Sequence, residues 1–414
     1  MNYEECLDYL NRLGNEVLTM KFGLDTIRAV LDGLERPQDS FRSVLIAGTN
    51  GKGSVARFLA SITTTAGIRT GLYTSPHLVR LTERIKVDGR EVDPVRFAEC
   101  FTEVVETVRT LDLESHPTFF EMITATAFRV FAREQIELAV LEIGMGGRLD
   151  STNVVEPILS IITPIDWDHQ QYLGDTLPKI AGEKAGIMRP GVPALSSAQS
   201  KEVAAVLRER ASALGTSLEF QDMAAVSRSA DPDGCYQFSH EGIDYGLHVS
   251  GRFQVDNAML AVRAAQELRR LGFSVRPDHV AAGIGATEFQ GVVQRSGEKP
   301  VVVIDGGHNP AAALALGRYL GRHTPSPRHL VFAMMRDKEV ARVLAILQPL
   351  CERIFLTQID SPRAAAFEDL IRLCPLGIPV PNPRDAYGAA FAGAETVVVA
   401  GSFFLAGAIL AERG

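Results

Sequence analysis

Short aliphatic and β-branched runs recur along the chain, and each is followed by a stretch whose apolar positions keep helical spacing. SVLIA (43–47), LAVLEIG (138–144), ILSIIT (158–163), VVVID (301–305), HLVFAMM (329–335), RIFLT (353–357) and TVVVAGS (396–402) are of this kind. Runs without a polar face read as strands buried on both sides, and their alternation with helices predicts parallel sheets of the α/β class. After Ser54 the positions Val55, Phe58, Leu59 and Ile62 follow a helical period, so the run GTNGKGS lies between a strand and a helix. Residues 217–250 have another rhythm. SLEFQDMAAV, CYQFSH and IDYGLHVS alternate and are broken by turn residues, which predicts antiparallel hairpins attached to a first domain. Helices are expected at about 255–271 and 276–286. The polar, Gly- and Pro-marked segment FQGVVQRSGEKP (289–300) precedes a fresh strand at Val301. The division is therefore placed there, with a first domain over 1–292 and a second over 299–414.

Composition agrees with two soluble domains. The 414 residues are 46% hydrophobic and 22% charged, too long for one ordinary core and too apolar for disorder. No apolar run has the length of a membrane helix, and the opening MNYEECLDYLNRLG is acidic and amphipathic. Both features point to a cytoplasmic protein without membrane contact. Five cysteines (Cys6, Cys100, Cys235, Cys351, Cys374) are scattered without a C-x-x-C pair, which reads as ordinary thiols in a reducing compartment. Net charge is −8, with no basic run interleaved with aromatics, and this argues against nucleic acid as the partner. A small anionic substrate held by local arginines and a metal remains compatible with that charge.

Several segments carry candidate chemistry. In GTNGKGS the glycines Gly48, Gly51 and Gly53 let backbone N–H groups approach an anion at a helix start, and Lys52 and Ser54 supply side chains. The usual phosphate-loop pattern has Lys followed directly by Ser or Thr, whereas here Gly53 intervenes. TPIDWDHQQYLGDTLPKIAGEKAGI (163–187) places Asp166, Asp168 and His169 just past a strand, where open α/β sheets bind ligands, and Lys184 on a following helix. His169 is a candidate ligand for a divalent cation; a hydrogen-bonded structural histidine is the plainer reading. Glu142 ends an otherwise apolar strand, a costly place for a carboxylate unless a metal or an arginine faces it. Gly144, Gly146 and Gly147 then form a turn presenting Arg148 and Asp150. Ser75 and His77 follow another short strand, with Arg80 and Arg84 able to line an anion path. DGGHNP repeats the strand, glycine turn and helix theme at Asp305 and His308. Spacing alone leads to an enzyme using ATP and a divalent metal with two α/β domains.

AGTNGKGS, TSPHL, TFFE (118–121), LEIGMGGRLDSTN, DHQQYLGDTLPKIAGEKAGI, DGGHNP and GSFFLAG together resemble the folylpolyglutamate synthase and dihydrofolate synthase family, a branch of the ATP-dependent Mur-type amide ligases. The resemblance covers nearly the whole chain, in order. It implies an α/β fold of two domains: a large phosphate-loop ATPase domain with a mainly parallel sheet, and a smaller Rossmann-like C-terminal domain. The implied reaction joins L-glutamate to dihydropteroate, giving dihydrofolate, and to reduced folates and folylpolyglutamates. It runs through an acyl phosphate and releases ADP and phosphate. Carried onto this sequence, Gly51, Lys52, Gly53 and Ser54 bind the ATP phosphates, and Asn257 and Asp305 contact the nucleotide. Ser75, Glu142 and His169 are implied ligands of Mg²⁺, with a monovalent cation as an optional companion. Lys184 matches a lysine that is carbamylated in the family, and His308 assists at the γ-phosphate or the intermediate. Thr118, Phe119, Phe120 and Glu121, with Leu149, Asp150 and Ser151, correspond to the pterin pocket. The implied catalytic set is thus Lys52, Glu142, His169, Lys184 and His308, in a monomer.

Two departures stand out. Gln290-Gly291-Val292 occupies the place where relatives carry Pro-Gly-Arg, and Arg295 is the nearest arginine that can substitute. Phe253 stands where many of the wider ligase group have histidine. Three other readings compete: a folylpolyglutamate synthase lacking the first activity, a Mur-type ligase acting on a cell-wall precursor, and a non-catalytic ATP-binding regulator. The early position of the phosphate loop disfavours the second, and the full Lys52, Glu142, His169 and Lys184 set disfavours the third.

Overall fold

The computed structural model describes residues 1–14 and 23–413. The chain forms two compact units. The first comprises Met1–Pro76, Leu81–Ala224 and Asn257–Ile284, and the second His77–Arg80, Ala225–Asp256 and Gly285–Gly414.

The first unit is built on an eight-stranded sheet. Its strands are β1 (Arg42–Ala47), β2 (Thr70–Tyr73), β3 (Ile85–Val87), β4 (Arg90–Glu91), β5 (Leu138–Glu142), β6 (Leu159–Ile162), β7 (Ala194–Ser196) and β8 (Leu218–Phe220), in the order β4-β3-β2-β5-β1-β6-β7-β8. From β2 through β8 the neighbours are parallel, and β3 and β4 add an antiparallel edge. Val44 to Ala47 of β1 are fully buried, as a central parallel strand requires. Helices Pro94–Thr110 and Phe119–Arg133 pack with this core through Phe97, Phe101, Phe128 and Phe131, and the Phe97 and Phe101 rings stack at 5.8 Å. Because β2, β5, β1 and β6 run side by side in one direction, Thr74, Ile143, Gly48 and Thr163 all leave the sheet at its carboxyl edge.

The second unit holds two sheets. β9 (Ser227–Ala230), β10 (Cys235–His240) and β11 (Ile243–Ser250) form an antiparallel meander, with Tyr236, Phe238, Tyr245, Leu247 and Val249 buried. The other is six-stranded: β12 (Gln294–Ser296), β13 (Val301–Asp305), β14 (Arg328–Phe332), β15 (Arg353–Leu356), β16 (Ile378–Pro379) and β17 (Thr396–Ala400), in the order β12-β13-β17-β14-β15-β16. It is parallel except for β12.

One expectation changes here. Leu218–Phe220 is no hairpin arm; it is the parallel edge strand next to β7, because residues 201–214 form a complete crossover helix before it. The contacts of the hairpin segment group it with the second unit. Its anchors explain this: Tyr319 Oη donates to the Asp233 carbonyl at 2.9 Å, and Arg295 pairs with the Asp233 carboxylate at 2.9 Å. Arg295 also donates to the His323 carbonyl at 2.9 Å. Its guanidinium thus has a structural task, and the expected substitution for the linker arginine lacks support. All five cysteines are free, and no described helix is long and apolar enough to cross a membrane.

Candidate active site

Helix Lys52–Thr65 begins directly after β1 and a turn of three residues and Gly51. Gly51 occupies the cap position with φ 87° and offers no side chain, so the first N–H groups of the helix keep their capacity for an anion. A β-carbon there would also stand 2.4 Å from Asn257 Oδ1, so only glycine admits that amide so close to the loop. The unusual Gly53 has a similar explanation. A β-carbon on it would lie 3.2 Å from Glu142 Oε2, so the glycine lets the strand-end carboxylate lie against the first helical turn.

The loop is braced from below. Thr49 N–H donates to the Pro164 carbonyl at 2.9 Å, and its hydroxyl exchanges hydrogen bonds with the Asp166 backbone at 3.0 and 3.1 Å. Lys184, almost completely buried, donates from Nζ to the Gly48 carbonyl at 2.7 Å. Lys52 Nζ folds back on the Gly48 and Thr49 carbonyls at 3.2 and 3.3 Å.

Glu142 is 5% exposed and accepts the Ser75 N–H at 3.2 Å. Burial pushes its carboxyl above the ordinary range, while Lys52, the Ser75 N–H, Arg57 and Arg84 pull the other way. The costly strand-end carboxylate therefore sits in a field of positive charge. Arg57 was missed in the sequence: a helical arginine reads as solvated, and the signal available was its position one turn after Gly53. Arg84 is 2% exposed and lies 5.4 Å from the centre of the Phe119 ring, close enough for a cation–π contact. His169 has φ 46°, its backbone N–H donates to Asp168 Oδ1 at 3.0 Å, and its ring Nε2 lies 3.6 Å from Asp168 Oδ2.

Of the residues the resemblance assigns to the pterin pocket, Phe120 packs against the turn after β5 and against Tyr73. A β-carbon on Gly144 would be 2.5 Å from Phe120, and the Phe120 ring lies 6.0 Å from that of Tyr73. Thr118 and Glu121 form a reciprocal capping box at the start of helix Phe119–Arg133, so TFFE is in part a helix-start signal. Asp150 is likewise engaged: Oδ2 accepts Met145 N–H at 2.8 Å and Oδ1 accepts the Thr152 N–H and hydroxyl. It fixes the GMGGR turn, with Leu149 half-buried and Ser151 buried beside it.

In the second unit, Asp305 ends β13 and is 6% exposed. Its oxygens accept Val293 N–H and Gly307 N–H, each at 2.9 Å, and burial pushes its carboxyl up to about 6. His308 is half-buried with its ring edge-on to Phe403, 6.1 Å between centres. Asn309 caps helix Pro310–His323 through Ala312 N–H at 2.9 Å.

The description of the Mur ligase middle domain matches residues 46–265, and that of the Mur ligase glutamate ligase domain matches 290–403. This chain belongs to the Mur ligase family. Within that family it is 36% identical to a dihydrofolate synthase/folylpolyglutamate synthase of Mycobacterium tuberculosis, over 84% of this chain and 76% of the relative. The folylpolyglutamate synthase of M. tuberculosis solved with ADP and AMPPCP superimposes with a TM-score of 0.91 at 33% identity, covering 100% of this chain and 99% of that one. A bifunctional folylpolyglutamate synthase/dihydrofolate synthase from Yersinia pestis, solved with AMPPNP and a Mn ion, gives 0.85 at 27% identity, with 100% and 98% covered. One glycine turn lies in each matched domain.

Proposed function

We propose that this chain joins L-glutamate to dihydropteroate and then to reduced folates, through an acyl phosphate made at the expense of ATP. It is an ATP-dependent carbon–nitrogen ligase of the folylpolyglutamate synthase and dihydrofolate synthase kind. The observation that carries the site reading is the buried Glu142 carboxylate lying against Gly53 at an uncapped helix start, with positive charge around it.

In this reading the N–H groups after Gly51, with Lys52 and Ser54, hold the β- and γ-phosphates, and Asn257 contacts the nucleotide. The substrate carboxylate attacks the γ-phosphorus, ADP leaves, and the neutral amine of glutamate attacks the acyl phosphate carbon. Phosphate departs with the former carboxylate oxygen, and the amine loses a proton. A carboxylate is a poor acyl donor until one oxygen becomes phosphate, so positioning and charge neutralisation supply the rate.

A divalent metal fits this site. The donor set is oxygen-rich, Glu142 and Ser75 are joined, and Mg²⁺ needs only one or two protein ligands when phosphates and water complete its shell. Ser75, Glu142 and His169 would hold it, and when bound it would neutralise phosphate charge. Lys184 is read as carbamylated: a carbamate nitrogen keeps one N–H, which is what the Gly48 carbonyl accepts. Intact-mass measurement of the native protein tests this by the gain of one CO₂. Phe119, Phe120 and Leu149, with Ser151, line the pterin pocket, while Thr118, Glu121 and Asp150 shape it through their caps. Asp305 serves the nucleotide side through the turn it holds, and His308 assists at the γ-phosphate. We read the chain as a cytoplasmic monomer.

The deciding experiment supplies dihydropteroate, ATP, Mg²⁺ and glutamate to the purified protein and follows dihydrofolate. Product dependent on all four is expected. Product only with tetrahydrofolate as acceptor would replace the bifunctional reading with a folylpolyglutamate synthase alone.

A further inference from the structure

The linker before β13 contains a conformation that its residue does not favour. Val293 has φ 42°, a left-handed value that a β-branched side chain adopts only when the surroundings impose it. It is 1% exposed, packed into the core that holds Val301, Val303 and Leu316. What imposes the conformation is visible around it. Val293 N–H is bound by Asp305 Oδ2 at 2.9 Å, and the next residue, Gln294, is already in register with Ile304 of β13. Gly291 N–H is held by the Gln294 side chain at 2.9 Å, and the Gly291 carbonyl accepts Gly306 N–H at 2.8 Å. The other oxygen of Asp305 binds Gly307 N–H at 2.9 Å, in the turn that leads to His308.

We infer that Asp305 is a positioning residue that couples the strained linker at Val293 to the Gly306–Gly307 turn, so that one carboxylate sets both the linker path and the placement of His308. This rests on the reading of His308 as a participant at the γ-phosphate. The carboxylate is suited to the task because both its oxygens accept and neither donates. Because one group holds both segments, a substitution that drops one bond loosens the segment it held and shifts the group that holds the other.

The test compares D305A, D305N, V293G and D305A/V293G with the unaltered protein, with H308A beside them. Turnover in D305A is expected to fall by about 30-fold with KM for ATP changed less than about threefold, because misplacement of a reacting group acts on kcat. D305N, which keeps one acceptor, should retain several times the D305A rate. Glycine at 293 accepts the left-handed backbone unaided, so the D305A penalty should shrink at least about threefold in the V293G background. A rise in KM for ATP with kcat unchanged would mean that Asp305 contacts nucleotide directly and would overturn the coupling. Independent, multiplicative effects of the two substitutions would overturn it as well. Should D305A fail to fold, hydrogen exchange on D305N decides: faster exchange is expected at both the Val293 and Gly307 amides, and acceleration at one alone rejects the coupling. Full turnover in H308A would remove the reading of His308 while leaving the exchange result to judge the Asp305 link separately.

Discussion

The two units each contain a strand, a glycine turn and a helix, and the two turns are used in opposite ways. After β1 the helix starts at Lys52 with Gly51 in the cap position and no side-chain bond to its first N–H groups. After β13 the comparable helix at Pro310 is capped by Asn309, and Asp305 takes the N–H of Gly307. The first turn leaves its donors available to an anion and brings the matching carboxylate, Glu142, from a neighbouring strand. The second engages its Gly306, Gly307 and Ala312 N–H groups from within. A glycine-rich turn before a helix is therefore a phosphate site only when the protein leaves it unfinished.

The contrast can be broken most severely at the open turn. Lys52→Ala or Glu142→Ala should lower kcat by about a thousandfold or more with the thermal midpoint nearly unchanged, since both act on charge at the phosphates. Steady-state ADP release checks this, and near-normal rates in either variant would refute the site. The closed turn should show itself in pH dependence. The Asp305 carboxyl is raised from 3.8 to about 6 in the folded state, so the stability linked to it is full below 3.8 and lost as pH rises through about 6. Relative to the unaltered protein, Asp305→Asn should therefore gain up to about 3 kcal/mol between pH 4 and pH 8, read from urea midpoints. A flat difference between the two proteins would contradict it. Gly51→Ala places a β-carbon against Asn257 and at an unfavourable φ, and a loss of about 30-fold in kcat/KM for ATP is expected from initial rates. Asn309→Ala should cost about 1 kcal/mol of stability, by chemical denaturation, through loss of a helix cap, and leave ATP affinity nearly unchanged.

Much of this was legible in the sequence. Apolar runs marked β1, β5, β6, β13, β14, β15 and β17, because strands buried on both faces have no polar rhythm to blur them. The phosphate loop was legible for a similar reason: its glycines and lysine sit at a strand-to-helix junction that periodicity alone locates. Other features depended on contacts across long stretches of chain. Leu218–Phe220 looked like a hairpin arm, since three residues carry no information about which neighbour they pair with. The resemblance places Thr118, Glu121 and Asp150 at the pterin pocket; their local hydrogen bonds form a helix cap and a turn, and T-x-x-E was the signal available for the cap. Nothing in the order of residues announces that Val293 is left-handed, because that follows from Asp305 twelve residues later.

The contacts that residues 225–256 make with the second unit have a consequence for how the protein is made. On the ribosome, the β9–β11 meander emerges before Asn257–Ile284, which completes the first unit, and before the remainder of the second from Gly285 onward. Each unit is thus interrupted by the other in the order of synthesis, and the meander's anchors, Arg295 and Tyr319, appear only later. A fragment begun at residue 285 would lack its three-stranded sheet, and one ended at 284 would carry that sheet without its support. Neither half keeps the meander together with the side chains that anchor it.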